Sequence, residues 1–267
     1  FPYTTLFRSA AMDQTLRVWD TASGECVATL RGQNANVLAC DVSHDGRYIA
    51  SGGSDGSVMF WELETGATLG RFKAHAGGWV CTIRFAPHSR LLLTGSTDGV
   101  AKIWRTRDAA QLATLRGHTQ PILWAHFTSD GRFIVTAAED RSLRVWDCAH
   151  GFCCVAVLVG HTHEVTACDL LDDERTIVSV SSDKTMRFYD LAAIDEAVAS
   201  AKASGSGSSS SSEQQARVEL PLLVHPTWEH HCLEALISVA ADKHHSFAVG
   251  TASGRLMLMT KNATTRS

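Results

Sequence analysis

The sequence predicts an all-β protein built from a repeated unit, and three observations support this prediction. An eight-residue pattern recurs five times, as DQTLRVWD, DGSVMFWE, DGVAKIWR, DRSLRVWD and DKTMRFYD. The aromatic residues near the ends of successive copies lie 42 or 43 residues apart. Between the copies, apolar and polar residues alternate in short runs that are bounded by Gly, Asp and Ser, which is typical of antiparallel strands joined by turns.

One period contains four strands. After His118, PILWAHFT and FIVTAAE read as strands around an SDGR turn, and SLRVWD and CCVAVLV follow as two more. Four short strands per 42 or 43 residues indicate one blade of a β-propeller. Because one blade cannot bury both faces of its sheet, the blades must stack around an axis. We predict six blades, the first without its innermost strand, from a truncated seven-bladed ring; a true six-bladed ring is the alternative.

The composition excludes several classes of protein. Of 267 residues, 45% are hydrophobic and 19% are charged, which excludes global disorder. The net charge is −4 and no run of Lys or Arg occurs, so nothing marks a nucleic-acid or anionic-membrane partner. No apolar stretch reaches the ~18 residues that a membrane helix needs. The eight cysteines form no CxxC pair and lie mostly in strand-like runs, which favours reduced thiols in a protein of the cytoplasm or nucleus.

The segment boundaries follow from where the period starts and stops. Residues 1–9, FPYTTLFRS, match the translation of a sequencing-library adapter, and we interpret them as an artefact. Residues 10–190 hold blades one to five. Residues 191–217 begin with an amphipathic helix over 191–202 and continue as a Gly/Ser-rich flexible insertion. This insertion is either an inert surface loop or a phosphorylated regulatory loop.

The last part of the chain is less regular. Residues 218–260 are predicted to hold the outer strand of blade five, at 218–224, and a degenerate sixth blade, and 261–267 form a polar tail. In the sixth blade Ser253 replaces the turn Asp and Met259 replaces the Trp.

These features resemble the WD40 repeat family, closely over 10–190 and more loosely over 218–260. The Gly-His mark of that family occurs at 117–118 and 160–161, is varied to Ala-His at 74–75, and becomes Gly-Gln at 32–33. The Trp-Asp mark is intact at 19–20 and 146–147 and is varied at 61–62, 104–105 and 189–190. The resemblance implies the fold and leaves the function open, because one fold hosts many functions.

Several blades combine Ser or Thr, His and Asp in a way that imitates a catalytic triad. An active site needs one such set, whereas here it recurs, and the resemblance implies a buried structural tetrad completed by the aromatic residue. Gln33 and Tyr189 depart from this pattern, so we expect their blades to be less rigid, and Ser9 is assigned no role. The predicted tetrad residues are Asp13, Trp19, Ser51, Asp55, Trp61, His75, Thr94, Asp98, Trp104, His118, Thr136, Asp140, Trp146, His161, Ser179, Asp183 and Tyr189.

Two histidine-rich spots are candidate zinc sites, namely 228–232 (WEHHC) and His244-His245. Adjacent histidines on a strand point to opposite faces, and neither spot has a recognised ligand spacing. We therefore predict no metal and no other cofactor.

The resemblance also implies a docking rim, lined by the residue at the start of each inner strand and the residue before each turn Asp. Trp79 stands out there as either an aromatic anchor or a residue packed against a neighbouring loop. The predicted rim residues are Asn36, Ser54, Trp79, Thr97, Pro121, Glu139, Glu164 and Ser182.

The favoured function is a non-catalytic scaffold that docks a protein or peptide on this rim, with no small-molecule substrate. The alternative is the C-terminal sensor propeller of a larger signalling protein with an upstream nucleotide-hydrolysing switch domain. A propeller hydrolase is disfavoured, because the sequence offers no unique pair of nucleophile and base.

Overall fold

The architecture is described from a computed structural model, which covers residues 6–171, 175–204, 222–232, 234–241 and 246–260. In this part of the chain the strands form six sheets that follow one another as propeller blades. The six predicted blades are thereby confirmed, and the first begins with the strand that corresponds to the second strand of the others.

The first three blades contain eleven strands. Blade one consists of β1 (Leu6–Ala10), β2 (Leu16–Asp20) and β3 (Cys26–Leu30). Blade two consists of β4 (Val37–Val42), β5 (Tyr48–Gly53), β6 (Ser57–Glu62) and β7 (Thr68–Lys73). Blade three consists of β8 (Val80–Phe85), β9 (Leu91–Ser96), β10 (Ala101–Arg105) and β11 (Gln111–Leu115).

The last three blades hold the remaining strands and the α-helix. Blade four consists of β12 (Ile122–Phe127), β13 (Phe133–Ala138), β14 (Leu143–Asp147) and β15 (Cys153–Leu158), with a 3-10 turn at Cys148–His150. Blade five begins with β16 (Val165–Leu170), β17 (Thr176–Ser181) and β18 (Thr185–Asp190), which lead into helix α1 (Leu191–Ser204). After it come β19 (Leu222–Val224), β20 (Trp228–His231), β21 (Leu236–Ala241), β22 (Ser246–Thr251) and β23 (Leu256–Thr260), the last three forming blade six.

One strand assignment is wrong. We predicted 218–224 as the outer strand of blade five, but that strand is β20, which pairs antiparallel with β18. The three residues of β19 instead pair in parallel with β15 and extend the outer edge of blade four. The physical reason is that an unpaired strand edge accepts any extended segment within reach, and Val224 also buries its side chain against the core between blades four and five.

Helix α1 extends two residues beyond its predicted end and lies against blades four and five. The Asp190 carboxylate caps it by accepting hydrogen bonds from the backbone N–H of residues 192 and 193. The apolar positions that predicted the helix, Leu191, Ile194 and Val198, pack into the core between blades four and five. The helix is thus held by its apolar face.

Five apolar clusters fill the five gaps between successive blades. The aromatic residue on the third strand of a blade packs against the preceding blade: Trp61, Trp104, Trp146 and Tyr189 each belong to such a cluster and are at most 6% exposed. Because the pattern of apolar residues has the two-residue period of a strand, each sheet presents one apolar set to each neighbour. The repeat therefore produces the stacking.

A β-bulge recurs at the start of the inner strand in five blades, between residues 37 and 39 in blade two and at the equivalent positions of β8, β12, β16 and β21. A bulge bends the strand and leaves one residue outside the ladder. It lies beside the predicted rim residues, so the same local irregularity shapes the rim in each blade.

The core assignment predicts a large loss of stability from Ile122→Ala. Ile122 is fully buried between blades three and four, and removing a buried aliphatic side chain of this size costs about 2–5 kcal/mol. Urea unfolding of the full chain measures this loss. Leu112→Ala, on the exposed outer strand of blade three, is the control and should change stability by less than about 0.5 kcal/mol. Equal effects of the two changes would contradict the described packing.

Candidate functional site

The hydroxyl group of Thr136 is the centre of a hydrogen-bonded network in blade four. It accepts a hydrogen bond from Trp146 Nε1 at 3.0 Å and lies 2.8 Å from His118 Nε2. The other ring nitrogen of His118 lies 2.8 Å from the Asp140 carboxylate, which only accepts, so Nδ1 carries the proton. In the neutral ring Nε2 then accepts the threonine O–H, and every polar atom of the network is paired.

Asp140 also organises the turn in which it lies. Its carboxylate accepts hydrogen bonds from the backbone N–H groups of Thr119 and Ser142 and from the Ser142 hydroxyl. Burial alone would raise the pKa of Asp140, but hydrogen bonds from His118, Ser142 and Thr119 outweigh burial and lower it from 3.8 to about 2. The carboxylate therefore stabilises the fold fully above pH 3.8, and this contribution of about 2 kcal/mol is lost as the pH falls toward 2.

Blade three contains the same network. His75 lies 2.9 Å from both the Asp98 carboxylate and the Thr94 hydroxyl, and Trp104 donates to that hydroxyl at 2.9 Å. Burial lowers the pKa of His75 and outweighs the opposing effect of Asp98. The lowered pKa favours the neutral ring. Blades three and four are thus the two in which all four predicted tetrad members meet.

Blade five has two of the three tetrad contacts. His161 lies 2.9 Å from Asp183 and 2.7 Å from the Ser179 hydroxyl. Tyr189 replaces the indole and donates its hydroxyl to the Val159 carbonyl at 3.2 Å, which ties blade five to blade four. Although burial tends to raise the pKa of Asp183, the hydrogen bonds from His161 and its neighbours hold that pKa well below its usual range.

The tetrad of blade two has the least complete set of hydrogen bonds. The Ser51 hydroxyl donates to Gln33 Oε1, but the buried Gln33 Nε2 and Trp61 Nε1 have no hydrogen-bond partner among the described residues. The Asp55 carboxylate binds Ser57 and Arg71 instead of Gln33. An amide does not reproduce the two oppositely directed ring nitrogens of histidine, so two buried donors stay unpaired.

Blade one carries a partial network. Asp13 binds the backbone and hydroxyl of Thr15, and Trp19 Nε1 donates to Ser9 Oγ at 2.9 Å. Ser9, to which sequence analysis assigned no role, thus takes the hydroxyl position in blade one. The interpretation of 1–9 as an adapter translation stays a prediction.

The eight predicted rim residues meet in four pairs. In each pair the residue before the turn Asp donates its backbone N–H to the carbonyl of the residue at the start of the inner strand, at 2.9–3.3 Å. These pairs are Ser54 with Asn36, Thr97 with Trp79, Glu139 with Pro121, and Ser182 with Glu164. The rim is therefore a backbone frame whose side chains are free to differ between blades.

Trp79 is held by its backbone while its side chain is exposed. Its N–H donates to Thr97 Oγ1 at 2.9 Å, in addition to the backbone pair, and the residue is 56% exposed. A Cβ on Gly78 would come within 2.4 Å of Ser96 Oγ, so only glycine lets this loop lie against the turn. An indole this exposed does not pack into a neighbouring loop, which was the alternative interpretation.

Sequence analysis missed a concave site at the opposite end of the inner strands. A cavity of about 870 Å³ is lined there by Asp41, Arg84, His126 and Asp169, which occupy equivalent positions on four inner strands. Burial raises the pKa of Asp41, which accepts a hydrogen bond from the backbone N–H of residue 85. The sequence contains a signal for their equivalent positions, because these polar residues recur 42 or 43 residues apart within apolar runs.

Within the described ranges no group of three or more His, Cys, Asp and Glu residues could hold a metal ion. His230 and His231 lie on β20, where His231 pairs with Glu229, and His244-His245 lie outside the described residues. Among the helices that the structure covers, none has the length and apolar character to cross a membrane.

The tetrad geometry predicts that Asp140→Ala destabilises the fold by about 1–3 kcal/mol, because it leaves the buried His118 Nδ1 and two backbone N–H groups unpaired. Thermal or urea unfolding at pH 7 measures this loss. Asp108→Ala is the control, since Asp108 is half-exposed and its partners, Arg105, Arg107 and the backbone N–H of Ala110, lie at the surface. An unchanged melting temperature for Asp140→Ala would contradict the tetrad assignment.

Blade two provides the converse test. Gln33→His should stabilise the protein by about 1 kcal/mol if the imidazole pairs with Ser51 and lets Trp61 Nε1 find an acceptor. His118→Gln, which makes the opposite change in blade four, should destabilise by a similar or larger amount. Differential scanning calorimetry of both variants measures the two changes in stability. A loss of stability in both would show that the orphan donors of blade two do not arise from the missing imidazole.

Comparison with known proteins matches the family described as "WD domain, G-beta repeat" to residues 24–62, 66–105, 109–147 and 152–190, more than half of the chain. The chain is similar to the nuclear distribution protein PAC1 of Coccidioides posadasii, at 32% identity over 170 residues, covering 56% of this chain and 36% of that protein. It is similar to the nuclear distribution protein nudF of Aspergillus niger, at 27% identity, covering 54% and 37%.

A third relative has a different name. Pre-mRNA-processing factor 19 homolog 2 of Arabidopsis thaliana is 33% identical over 146 residues, covering 53% of this chain and 28% of that protein. The chain thus spans about a third of the length of these curated relatives. With four matched repeats lying on successive antiparallel blades, the chain belongs to the WD40-repeat β-propeller family.

Proposed function

We propose that the chain is a non-catalytic interaction scaffold that docks a protein or peptide partner on the rim. The observation that carries this proposal is Trp79, an indole that is 56% exposed on a backbone held at two points by Thr97. Trp is enriched among the residues that dominate binding energy, because it offers a large contact area at little cost in conformational entropy.

The proposal that the chain is not an enzyme rests on the state of the tetrad hydroxyls. Thr94, Thr136 and Ser179 are fully buried, and the first two already accept a hydrogen bond from an indole. A nucleophile must reach its substrate, and these groups are covered by the neighbouring blade. The same set also recurs in three blades, as scaffolding would. These observations weigh against the hydrolase hypothesis.

The relatives support an interaction scaffold as the class of function, but they do not indicate a particular cellular process. Their names refer to nuclear distribution and to pre-mRNA processing, yet their identities to this chain are similar. What they share with it is the propeller segment. We therefore propose a protein or peptide partner, with no nucleic acid, membrane or small-molecule substrate. A location in the cytoplasm or nucleus is in keeping with the eight cysteines, which are all free thiols.

The second function, a sensor propeller of a larger signalling protein, stays a prediction. Recovery of the full transcript tests it: a P-loop upstream of the first blade would support it, and an upstream region without one would contradict it.

The rim assignment predicts that Trp79→Ala raises the Kd for the bound partner roughly 30-fold, equivalent to about 2 kcal/mol, and leaves the melting temperature unchanged. Partners retained by the immobilised full chain are identified by mass spectrometry, and the affinity of the strongest is then titrated.

Leu69→Ala is the matched control, because Leu69 is 54% exposed but lies on the outer strand β7. A sharp drop in melting temperature for Trp79→Ala would make Trp79 a packing residue and defeat the assignment. If Trp79→Ala binds normally while Arg84→Glu does not, docking uses the cavity at the opposite end.

A further inference from the structure

We infer that the rim takes a cationic side chain of the partner, arginine in preference to lysine, between Trp79 and Glu139. This inference rests on the proposed function and specifies the chemistry of the docked segment.

Trp79 and Glu139 occupy neighbouring positions on the rim. Trp79 precedes the inner strand of blade three, and the backbone of Glu139 is bonded to Pro121, which precedes the inner strand of blade four. These two inner strands, β8 and β12, are in contact. The exposed indole and the exposed carboxylate are therefore presented side by side by two adjacent blades.

The Glu139 carboxylate is available for a ligand. Glu139 is exposed, and within the described part of the chain it forms no ion pair. Arg141, which follows Asp140 in the same turn, forms no ion pair with Glu139. Some acidic side chains are paired within the chain, as Asp55 is with Arg71 and Asp195 with Arg132. An exposed acid without a cation beside an exposed tryptophan is a feature that intramolecular contacts leave unexplained.

The charge around Trp79 is negative. Among the eight rim residues two are acidic, Glu139 and Glu164, and none is basic. A hydrogen bond from the Ser182 side chain lowers the pKa of Glu164, which keeps it ionised. Next to Trp79, burial raises the pKa of the Cys81 thiol, and the negative charges of Glu139 and Asp98 raise it further. A cation approaching this part of the rim is attracted before it makes contact.

Arginine suits this pair of groups better than other side chains. Its planar guanidinium can lie on the face of an indole and donate two parallel hydrogen bonds to a carboxylate at the same time. Lysine offers a point charge without the flat face, so it should bind more weakly. The backbone frame of the rim keeps both receptor groups in place before binding, which limits the entropy lost on docking.

The test uses a display library of random 12-residue peptides, selected on the immobilised full chain. We expect arginine to be enriched over lysine and acidic residues to be depleted. For a selected peptide, Glu139→Gln in the protein and Arg→Gln in the peptide should each raise the Kd at least about tenfold. The two changes together should add little to either alone, because they remove the same contact. Glu64→Gln, at an exposed acid outside the rim, is the control.

The outcomes separate this inference from the proposed function. Peptides that depend on Trp79 but show no arginine preference, or whose arginine is not coupled to Glu139, would overturn the inference and leave the scaffold proposal intact. Peptides that bind equally to Trp79→Ala would overturn both, as would failure to retain any peptide. Glu139→Lys gives a second readout, since it should reverse the preference toward acidic peptides.

Discussion

The packing of each sheet face against its neighbour is the constraint on which the rest of the structure depends. A four-stranded blade has two apolar faces, and each becomes buried only when another blade covers it. The third-strand aromatic residue belongs to the buried contact with the preceding blade, as Trp61 and Trp104 do in blades two and three. Burial of that residue brings its polar nitrogen into a dry environment, where it requires an acceptor.

The hydroxyl of the second strand meets this requirement and links packing to the rim. In blade four, Thr136 accepts from Trp146 and contacts His118, whose far side is held by Asp140. Asp140 in turn fixes the turn that contains Glu139. A side chain in the core is thus connected through paired polar atoms to a residue on the proposed docking surface, so the same network that stabilises the blade also positions the rim.

The distribution of complete networks bears on the proposed docking surface. Blades three and four contain all three tetrad contacts, the tetrad of blade two has two orphan donors, and blade five uses a tyrosine hydroxyl that reaches across to blade four. Trp79 and Glu139 therefore belong to the two blades whose tetrads are complete. Helix α1 and strand β19 further brace blade four. A preorganised docking surface is expected where the supporting blades are most rigid.

The sequence by itself determined the fold, because a period of 42 or 43 residues with two-residue alternation is compatible only with stacked four-stranded sheets. It also indicated which residues could meet in the tetrads and on the rim. Only the tertiary structure decided that β20 rather than 218–224 completes blade five, since an edge strand selects its partner by proximity after folding. It likewise decided that the Trp79 indole is exposed and that Asp41, Arg84, His126 and Asp169 line one cavity. Exposure and shared cavities depend on neighbouring blades, and a repeat pattern does not specify how its variable side chains face one another.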